Sequence, residues 1–313
     1  MKLYYADHFV LPLPAGHRFP MEKYSRLRAR LLECGLFAAE DFHVPAAASD
    51  AEILRAHDAG YLQRVIDGRL EAAEQRRIGF PWSAAMVERS RRSAGATLAA
   101  CRSALAREGG RACAANLAGG THHAHRDFGS GFCVFNDAAI AALAMQAEGR
   151  AGRVAIIDCD VHQGDGSAAI LAATPEVFTC SLHGAKNFPF RKQLSDLDIE
   201  LPDGTGDEAY LAALDEALDI VFTRARPELV IYLAGADPYA GDRLGRLALS
   251  IAGLAARDER VLGACRAADV AVAVAMAGGY AQPIDDTVTI HVNTVTAAAR
   301  IMAPVLPPCP AAP

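Results

Sequence analysis

The chain has 313 residues, of which 52% are hydrophobic and 22% are charged, and its formal charge is −6. This length is sufficient for one large α/β core, and the chain has no basic block that would follow a phosphate backbone, which argues against nucleic-acid binding as the main activity. No apolar segment approaches the roughly 18 residues of a membrane span, and the N-terminus lacks a signal-peptide pattern, so we expect a soluble, cytoplasmic protein.

Apolar segments and helical patterns alternate along the chain. Strands are predicted at residues 3–5, 41–44, 112–117, 153–158, 177–182, 197–201, 229–234 and 270–276. Helices are predicted at residues 21–34, 50–66, 83–107, 136–147, 207–225, 250–267 and 285–302. Alternation of this kind predicts parallel strands joined by helices. Because segments 154–157 and 229–233 are apolar without alternation, helices are expected on both faces of the sheet, as in a three-layer α/β/α sandwich.

No linker or internal repeat divides the chain. We therefore expect a single domain over residues 1–313, with the Pro/Ala-rich segment 303–313 as a flexible tail. The eight cysteines have no C-x-x-C spacing, which favours free thiols in a reducing compartment over disulfides or a thiolate metal site.

Polar and glycine-rich segments follow four of the predicted strands. Ligands of parallel sheets bind beyond the carboxyl ends of the strands, so these loops are the places to look for a site. The loops contain the residues 119–125 and 128–133, then Asp160 with His162, then Asp237, and finally Tyr280 after two glycines.

Asp160 and His162 are two residues apart after a predicted buried strand. In an extended chain their side chains point the same way, so a carboxylate and an imidazole would lie side by side. With Asp237 they would form three metal ligands and leave one position for water, as in catalytic zinc sites. Zinc, iron, cobalt and manganese all fit this donor set, and the alternative is a buried hydrogen-bonded cluster without a metal.

Other residues of these loops suit the hydrolysis of an amide or ester. A metal-bound water has its pKa lowered towards about 7 and needs a general base. The pair His122 and His123 supplies imidazoles, and Asp158 and Asp165 are the natural partners to fix their tautomers. Tyr280 can donate a hydrogen bond to a carbonyl oxygen that becomes negative in the transition state.

The motifs Gly-Thr-His122-His123-Ala, Asp158-x-Asp160-Val-His162-x-Gly-Asp165-Gly, Gly-Ala-Asp237-x-x-x-Gly-Asp-Arg-Leu-Gly and Gly-Gly-Tyr280 occur in this order. Together they resemble the zinc-dependent histone deacetylase and acetylpolyamine amidohydrolase superfamily over roughly residues 5–295. The resemblance implies the arginase/deacetylase fold, with a mainly parallel eight-stranded sheet.

The resemblance also implies roles for individual residues. One zinc ion per chain would be bound by Asp160, His162 and Asp237. His123 would act as general base and acid, with His122 as its electrostatic companion, Asp158 and Asp165 as the partners of the two histidines, and Tyr280 polarising the carbonyl.

Two further sites follow from the resemblance. Gly131, Phe132 and Cys133 match the floor and wall of the acyl-lysine channel. A structural potassium ion would be held by backbone and side chains at Asp158, Asp160, His162, Ser181 and Leu182.

Segments 181–183, 186–192, 195–202 and 204–207 resemble the class IV histone deacetylases and their bacterial relatives. Gln163 agrees with this branch, because class I enzymes have a second histidine there. Asp165 departs from it, since class IV animal enzymes tend to have Asn at this position.

The function expected from these residues is removal of an acetyl or longer fatty acyl group from lysine side chains of a protein or peptide. Alternatives are deacylation of a small amine such as an acetylpolyamine, and a non-catalytic acyl-binding or metal-binding scaffold. An arginase-like ureohydrolase would require two metal ions. The oligomeric state stays open.

Overall fold

The computed structural model describes residues 1–110 and 112–303. Its strands are β1 (Leu3–Tyr4), β2 (Phe42–His43), β3 (Cys113–Asn116), β4 (Val154–Asp158), β5 (Val177–Gly184), β6 (Leu197–Leu201), β7 (Leu229–Leu233) and β8 (Ala271–Ala275). The eight strands form one sheet in the order β2-β1-β3-β8-β7-β4-β5-β6, and every neighbouring pair is parallel. The eight predicted strands and the α/β fold class are confirmed.

Helices cover the sheet in two groups. They are α1 (Glu22–Glu33), α2 (Asp50–Ile53), α3 (Ala59–Ile66), α4 (Ala72–Ile78), α5 (Ala84–Leu105), α6 (Asp137–Ala147), α7 (Asp165–Leu171), α8 (Asp207–Arg224), α9 (Ile251–Ala267) and α10 (Ile284–Ile301). Helices α1, α10, α9 and α8 contact one another in series, and so do α5, α6 and α7. Both groups pack on the central strands, so β4, β7 and β8 are buried along their whole length.

The prediction of one continuous helix at residues 50–66 is wrong. The structure has α2 and α3 with a break between them, because tertiary contacts hold the intervening backbone. The buried His57 accepts the backbone N–H of Asn136 through Nε2 at 2.9 Å, and the N–H of Asp58 donates to the carbonyl of Arg126 at 2.8 Å. The short helices α4 and α7 were not predicted, since neither has enough turns to show a period.

Residues 304–313, most of the predicted flexible tail with one of the eight cysteines, lie outside the described residues. Within the described residues, no helix combines the length and the hydropathy needed to cross a membrane.

The sheet order places the four loops with polar motifs side by side. Strands β3, β8, β7 and β4 are consecutive in the sheet, and each is followed directly by one of these loops. Because all four strands run in the same direction, the loops meet at one edge of the sheet.

Candidate active site

Asp160, His162 and Asp237 come together as the sequence predicts. One ligand atom from each lies within 4.8 Å of the others, and all three side chains are buried. The Nδ1 atom of His162 is 2.9 Å from Oδ1 of Asp160 and 3.3 Å from Oδ2 of Asp237. No hydrogen bond reaches Oδ2 of Asp237 from the described residues. Because a buried carboxylate oxygen requires a partner, a cation fits this position.

Backbone N–H groups hold the two carboxylates in place. Val161 donates to Oδ1 of Asp237 at 2.9 Å, and Gly278 donates to Oδ2 of Asp160 at 2.7 Å. A Cβ atom at Gly278 would lie 1.9 Å from Oδ2 of Asp237, so only glycine allows this approach. The remaining carboxylate oxygens are thereby directed at one point.

The three groups strongly favour a positive charge between them. Burial raises the pKa of Asp237 to about 7, and the charge of Asp160 adds to this rise. Burial lowers the pKa of His162, but the adjacent carboxylates of Asp160 and Asp237 outweigh burial and raise it to about 10. Protons and a metal ion therefore compete for the same three groups.

Two histidine–carboxylate pairs stand beside the candidate metal ligands. Nδ1 of His122 is 2.6 Å from Oδ2 of Asp158, and Nδ1 of His123 is 2.6 Å from Oδ1 of Asp165. Oδ2 of Asp165 also lies 3.1 Å from Nε2 of His125. Each carboxylate accepts an Nδ1–H, which leaves Nε2 of both His122 and His123 available for chemistry.

The two imidazoles differ in charge although their hydrogen bonds are alike. Burial lowers the pKa of His122, but the carboxylates of Asp158 and Asp160 raise it to about 9. Burial lowers the pKa of His123 to about 4, and repulsion from His122 contributes. At neutral pH the first ring is therefore positive, and the second is an uncharged base.

Tyr280 lies on the loop after β8, close enough to the candidate metal ligands to feel the charges of Asp237 and Asp160. Burial raises the pKa of its hydroxyl well above the usual value, and so do the charges of Asp237 and Asp160, so the hydroxyl remains a hydrogen-bond donor. Its backbone N–H donates to Oδ2 of Asp242 at 2.6 Å. Oδ1 of Asp242 accepts the N–H groups of Leu244 and Gly245 at 2.7 and 3.0 Å, which ties the loop after β7 to Tyr280.

A cavity of about 930 Å³ is lined by both histidines of the pairs, by two of the candidate metal ligands, Asp160 and His162, and by Tyr280. Gly131, Phe132 and Cys133 also line it, while their role as the floor and wall of an acyl-lysine channel stays a prediction. The Phe132 ring packs 6.0 Å from the Tyr280 ring, and Phe188 lies 4.9 Å from the His123 ring between ring centroids. Asp158 and Asp165, which lie behind their histidines, and the fully buried Asp237 are not among the lining residues.

Three of the five residues predicted to hold a potassium ion lie next to one another. Asp158 and Ser181 are partners across the β4–β5 ladder, next to Leu182. The Ser181 hydroxyl lies 3.0 Å from Nδ1 of His183. Hard oxygen donors such as these suit an alkali cation, but the potassium ion stays a prediction.

Other residues that shape the site carried little or no signal in the sequence. Asp137 accepts the N–H groups of Gly120 and Thr121 at 3.0 and 2.7 Å and so fixes the loop that bears the histidines. Lys23, buried on α1, donates to the carbonyls of Ala277 and Gly279 at 3.3 Å each. Only the tertiary structure brings these side chains to the site.

Comparisons with known proteins agree with this geometry. The model of a family described as the histone deacetylase domain matches residues 17–295. An uncharacterized protein of Picosynechococcus sp. is 45% identical over 92% of this chain and 94% of its own. A histone deacetylase-like amidohydrolase of Pseudomonas aeruginosa is 33% identical over 87% of this chain and 74% of its own. The solved structure of an HDAC homolog complexed with SAHA superposes with a TM-score of 0.81, at 23% identity, over 98% of this chain and 85% of that one.

Proposed function

Because the chain belongs to the histone deacetylase family, we propose that it is a zinc-dependent amidohydrolase that removes acyl groups from lysine side chains. The observation that carries this proposal is the close grouping of three candidate metal ligands, two histidine–carboxylate pairs and Tyr280 around one cavity. A scaffold that only bound acyl groups would not need two histidine–carboxylate pairs beside the candidate metal ligands.

Asp160, His162 and Asp237 would hold one zinc ion. An ion at such a site polarises a carbonyl group and lowers the pKa of water, which is the chemistry that amide hydrolysis requires. The hydrogen-bonded backbone around the three side chains keeps them in position for it.

The chain's own groups would carry the proton transfers. His123, uncharged at neutral pH, accepts a proton from the attacking water as its oxygen adds to the amide carbon. The Tyr280 hydroxyl donates a hydrogen bond to the carbonyl oxygen as negative charge develops there. His123 then returns the proton to the leaving nitrogen as the C–N bond breaks, giving a carboxylic acid and an amine. The positive His122, held by Asp158, stabilises the negative charge of the transition state.

Finer parts of the proposal follow the resemblance to class IV enzymes. Apolar walls at Phe132 and Phe188 suit the methylene stem of lysine and a long acyl chain. SAHA, the ligand in the solved homolog, is expected to bind here as well. A structural potassium ion near Asp158 and Ser181, one domain and a cytoplasmic location complete the proposal.

The substrate assignment is tested by kcat/KM on acetyl-lysine peptide, myristoyl-lysine peptide and acetylputrescine, with zinc-loaded protein. We expect both peptides to be better substrates than acetylputrescine. A clear preference for acetylputrescine would instead assign a small-molecule deacetylase.

Replacement of the phenol hydroxyl separates an enzyme from a scaffold. Tyr280→Phe should lower kcat by about 100-fold, as expected for loss of one oxyanion donor, while zinc content stays unchanged. Unchanged turnover would refute the role given to Tyr280.

The number of bound metal ions tests the alternative of an arginase-like ureohydrolase. Two bound metal ions per chain would favour a ureohydrolase.

A further inference from the structure

The entrance of the active-site cavity is basic, although the chain as a whole is acidic at −6. We call the following exposed side chains of the cavity lining the basic entrance: Arg18, Arg76, Arg77, Lys186, Arg243 and Arg246. The catalytic groups of the same cavity are buried, so the exposed cations surround its opening. Among the described lining residues the sole carboxylate is the buried candidate metal ligand Asp160.

Among the residues that the structure describes, four of these six cations form no ion pair, and only Lys186 and Arg246 do. Within the described part of the chain, neither Arg18 nor Arg76 has a carboxylate oxygen within the 4.0 Å of an ion pair. The Arg77 guanidinium lies over the Phe128 ring at 4.6 Å. Arg243 donates through Nε to the carbonyl of Tyr280 at 3.1 Å.

The other two cations share one partner. Lys186 and Arg246 lie 3.9 and 3.3 Å from the same oxygen of Asp203. One carboxylate therefore stands against two positive charges, and the basic entrance keeps a net positive charge. Charges at the rim of a binding site act mainly on which partners approach and how fast.

Exposed aromatic side chains share the cavity lining with these charges. Phe190 is 85% exposed, and its ring centroid is 6.3 Å from that of the partly exposed Phe188. Both rings line the same cavity. Aromatic faces beside cations offer a chain segment both apolar contact and charge pairing.

We propose that this protein acts on acyl-lysines that are flanked by acidic residues in an extended segment of a protein or peptide. The inference rests on the proposed function and specifies its substrate class. Asp or Glu side chains on either side of the acyl-lysine would pair with the basic entrance while the acyl group reaches the buried site. The same charges repel basic peptides and cationic carriers such as acetylated polyamines.

Three acetyl-lysine peptides that differ only in their flanks test the proposal. The flanks are acidic, neutral or basic, and kcat/KM is measured at low and high salt. At low salt we expect about a tenfold advantage of the acidic over the basic peptide, which shrinks to about twofold in 0.5 M NaCl because salt screens exposed charges. Hydrolysis of the neutral peptide tests the proposed function by itself. Equal kcat/KM for all three peptides would overturn the inference and leave that function intact.

Charge reversal locates the effect. Arg76→Glu and Arg18→Glu should each lower kcat/KM for the acidic peptide about fivefold and raise it for the basic one. Arg55→Glu is the matched control, since Arg55 is exposed, has no carboxylate partner among the described residues and lies outside the cavity lining. Arg18 lies in a loop, so that variant remains informative if the change in α4 impairs folding. Equal effects of all three variants would contradict the basic entrance as the cause.

Binding provides a readout that does not need turnover. Fluorescence anisotropy with Tyr280→Phe protein should rank the three labelled peptides in the same order, acidic first. A labelled single-stranded RNA is titrated in the same way, as an acidic partner that is a nucleic acid and not a peptide. Tighter binding of this RNA than of the acidic peptide would overturn the assignment of a peptide partner.

Discussion

The two adjacent histidines show how surroundings give one residue type two charges. His122 lies 2.6 Å from Asp158 and 3.8 Å from Asp160, whereas His123 is paired with Asp165 alone, which it shares with His125. The extra carboxylate keeps a proton on the first ring, and that positive ring then helps to keep the second ring neutral. The pair thus supplies a fixed cation and a base within 4.2 Å between ring centroids.

Asp165→Asn tests the base. The carboxylate of Asp165 raises the pKa of His123 against burial, so its loss should move that pKa further below about 4. Because the base works only when unprotonated, the acid limb of kcat/KM should shift to lower pH. The pH-independent value of kcat/KM should fall about 10-fold to 100-fold, since the tautomer of His123 is no longer fixed. An acid limb that moves to higher pH would contradict this account, and thermal unfolding controls for loss of structure.

Gly278 helps to position the candidate metal ligands through its backbone N–H and through its lack of a side chain. Gly278→Ala places a Cβ atom against both candidate metal-binding carboxylates, so zinc affinity should fall by about 10-fold or more. Gly263→Ala is the control, because a Cβ there meets nothing within 4 Å, and in α9 it should be neutral or stabilising by up to about 1 kcal/mol. Equal zinc affinity of the two variants would refute the role given to Gly278.

At the scale of elements, α9 supports the two loops that bear the candidate metal ligands. The fully buried Arg257 donates through one guanidinium nitrogen to the carbonyl of Gly235 at 2.5 Å and to that of Cys159 at 3.3 Å. It is paired with the buried Asp258 at 2.8 Å. Cys159 directly precedes Asp160 in the chain, and Gly235 lies two residues before Asp237. One buried side chain therefore links the loops after β4 and β7.

Arg257→Met should be strongly destabilising. It leaves the charge of Asp258 buried without its ionic partner and two carbonyls without their donor, for which we expect a loss of about 3–5 kcal/mol in the free energy of unfolding. Arg260→Met, also in α9, removes an exposed ion pair with Asp215 of α8 and should cost about 1 kcal/mol or less. Urea denaturation measures both, and similar losses in the two variants would contradict a special role of Arg257.

At the scale of the whole molecule, the sequence predicts the sheet and most of the site because both depend on local signals. Uninterrupted apolar segments such as 229–233 identify buried strands, and the residues that follow them identify the loops. The spacing of Asp160 and His162 predicts that their side chains lie side by side, although the chain bends at these residues instead of staying extended as that prediction assumed. The parallel sheet then brings Asp237 and Tyr280 to the same edge, as strands β7 and β8 are neighbours of β4 and β3.

What the sequence does not predict depends on contacts between distant segments. The break before α3 follows from the contact of His57 with Asn136, 79 residues away. Arg257 lies in a helix whose pattern gives no hint that its guanidinium is buried. The basic entrance is assembled from separate loops and α4, so no basic block appears in the sequence. Only the tertiary structure reveals these features, because each one brings together residues that are far apart in the chain.

We propose that one divalent ion bound by Asp160, His162 and Asp237 makes this chain an amidohydrolase. Metal-free protein is titrated with zinc, and bound zinc per chain and hydrolysis of acetyl-lysine peptide are followed together, with Asp237→Asn as the variant that lacks one ligand charge. Activity should rise in proportion to bound zinc and saturate at one ion per chain, and the variant should bind zinc weakly and remain inactive. Full activity of the metal-free protein would contradict the claim, and so would saturation only at two ions per chain.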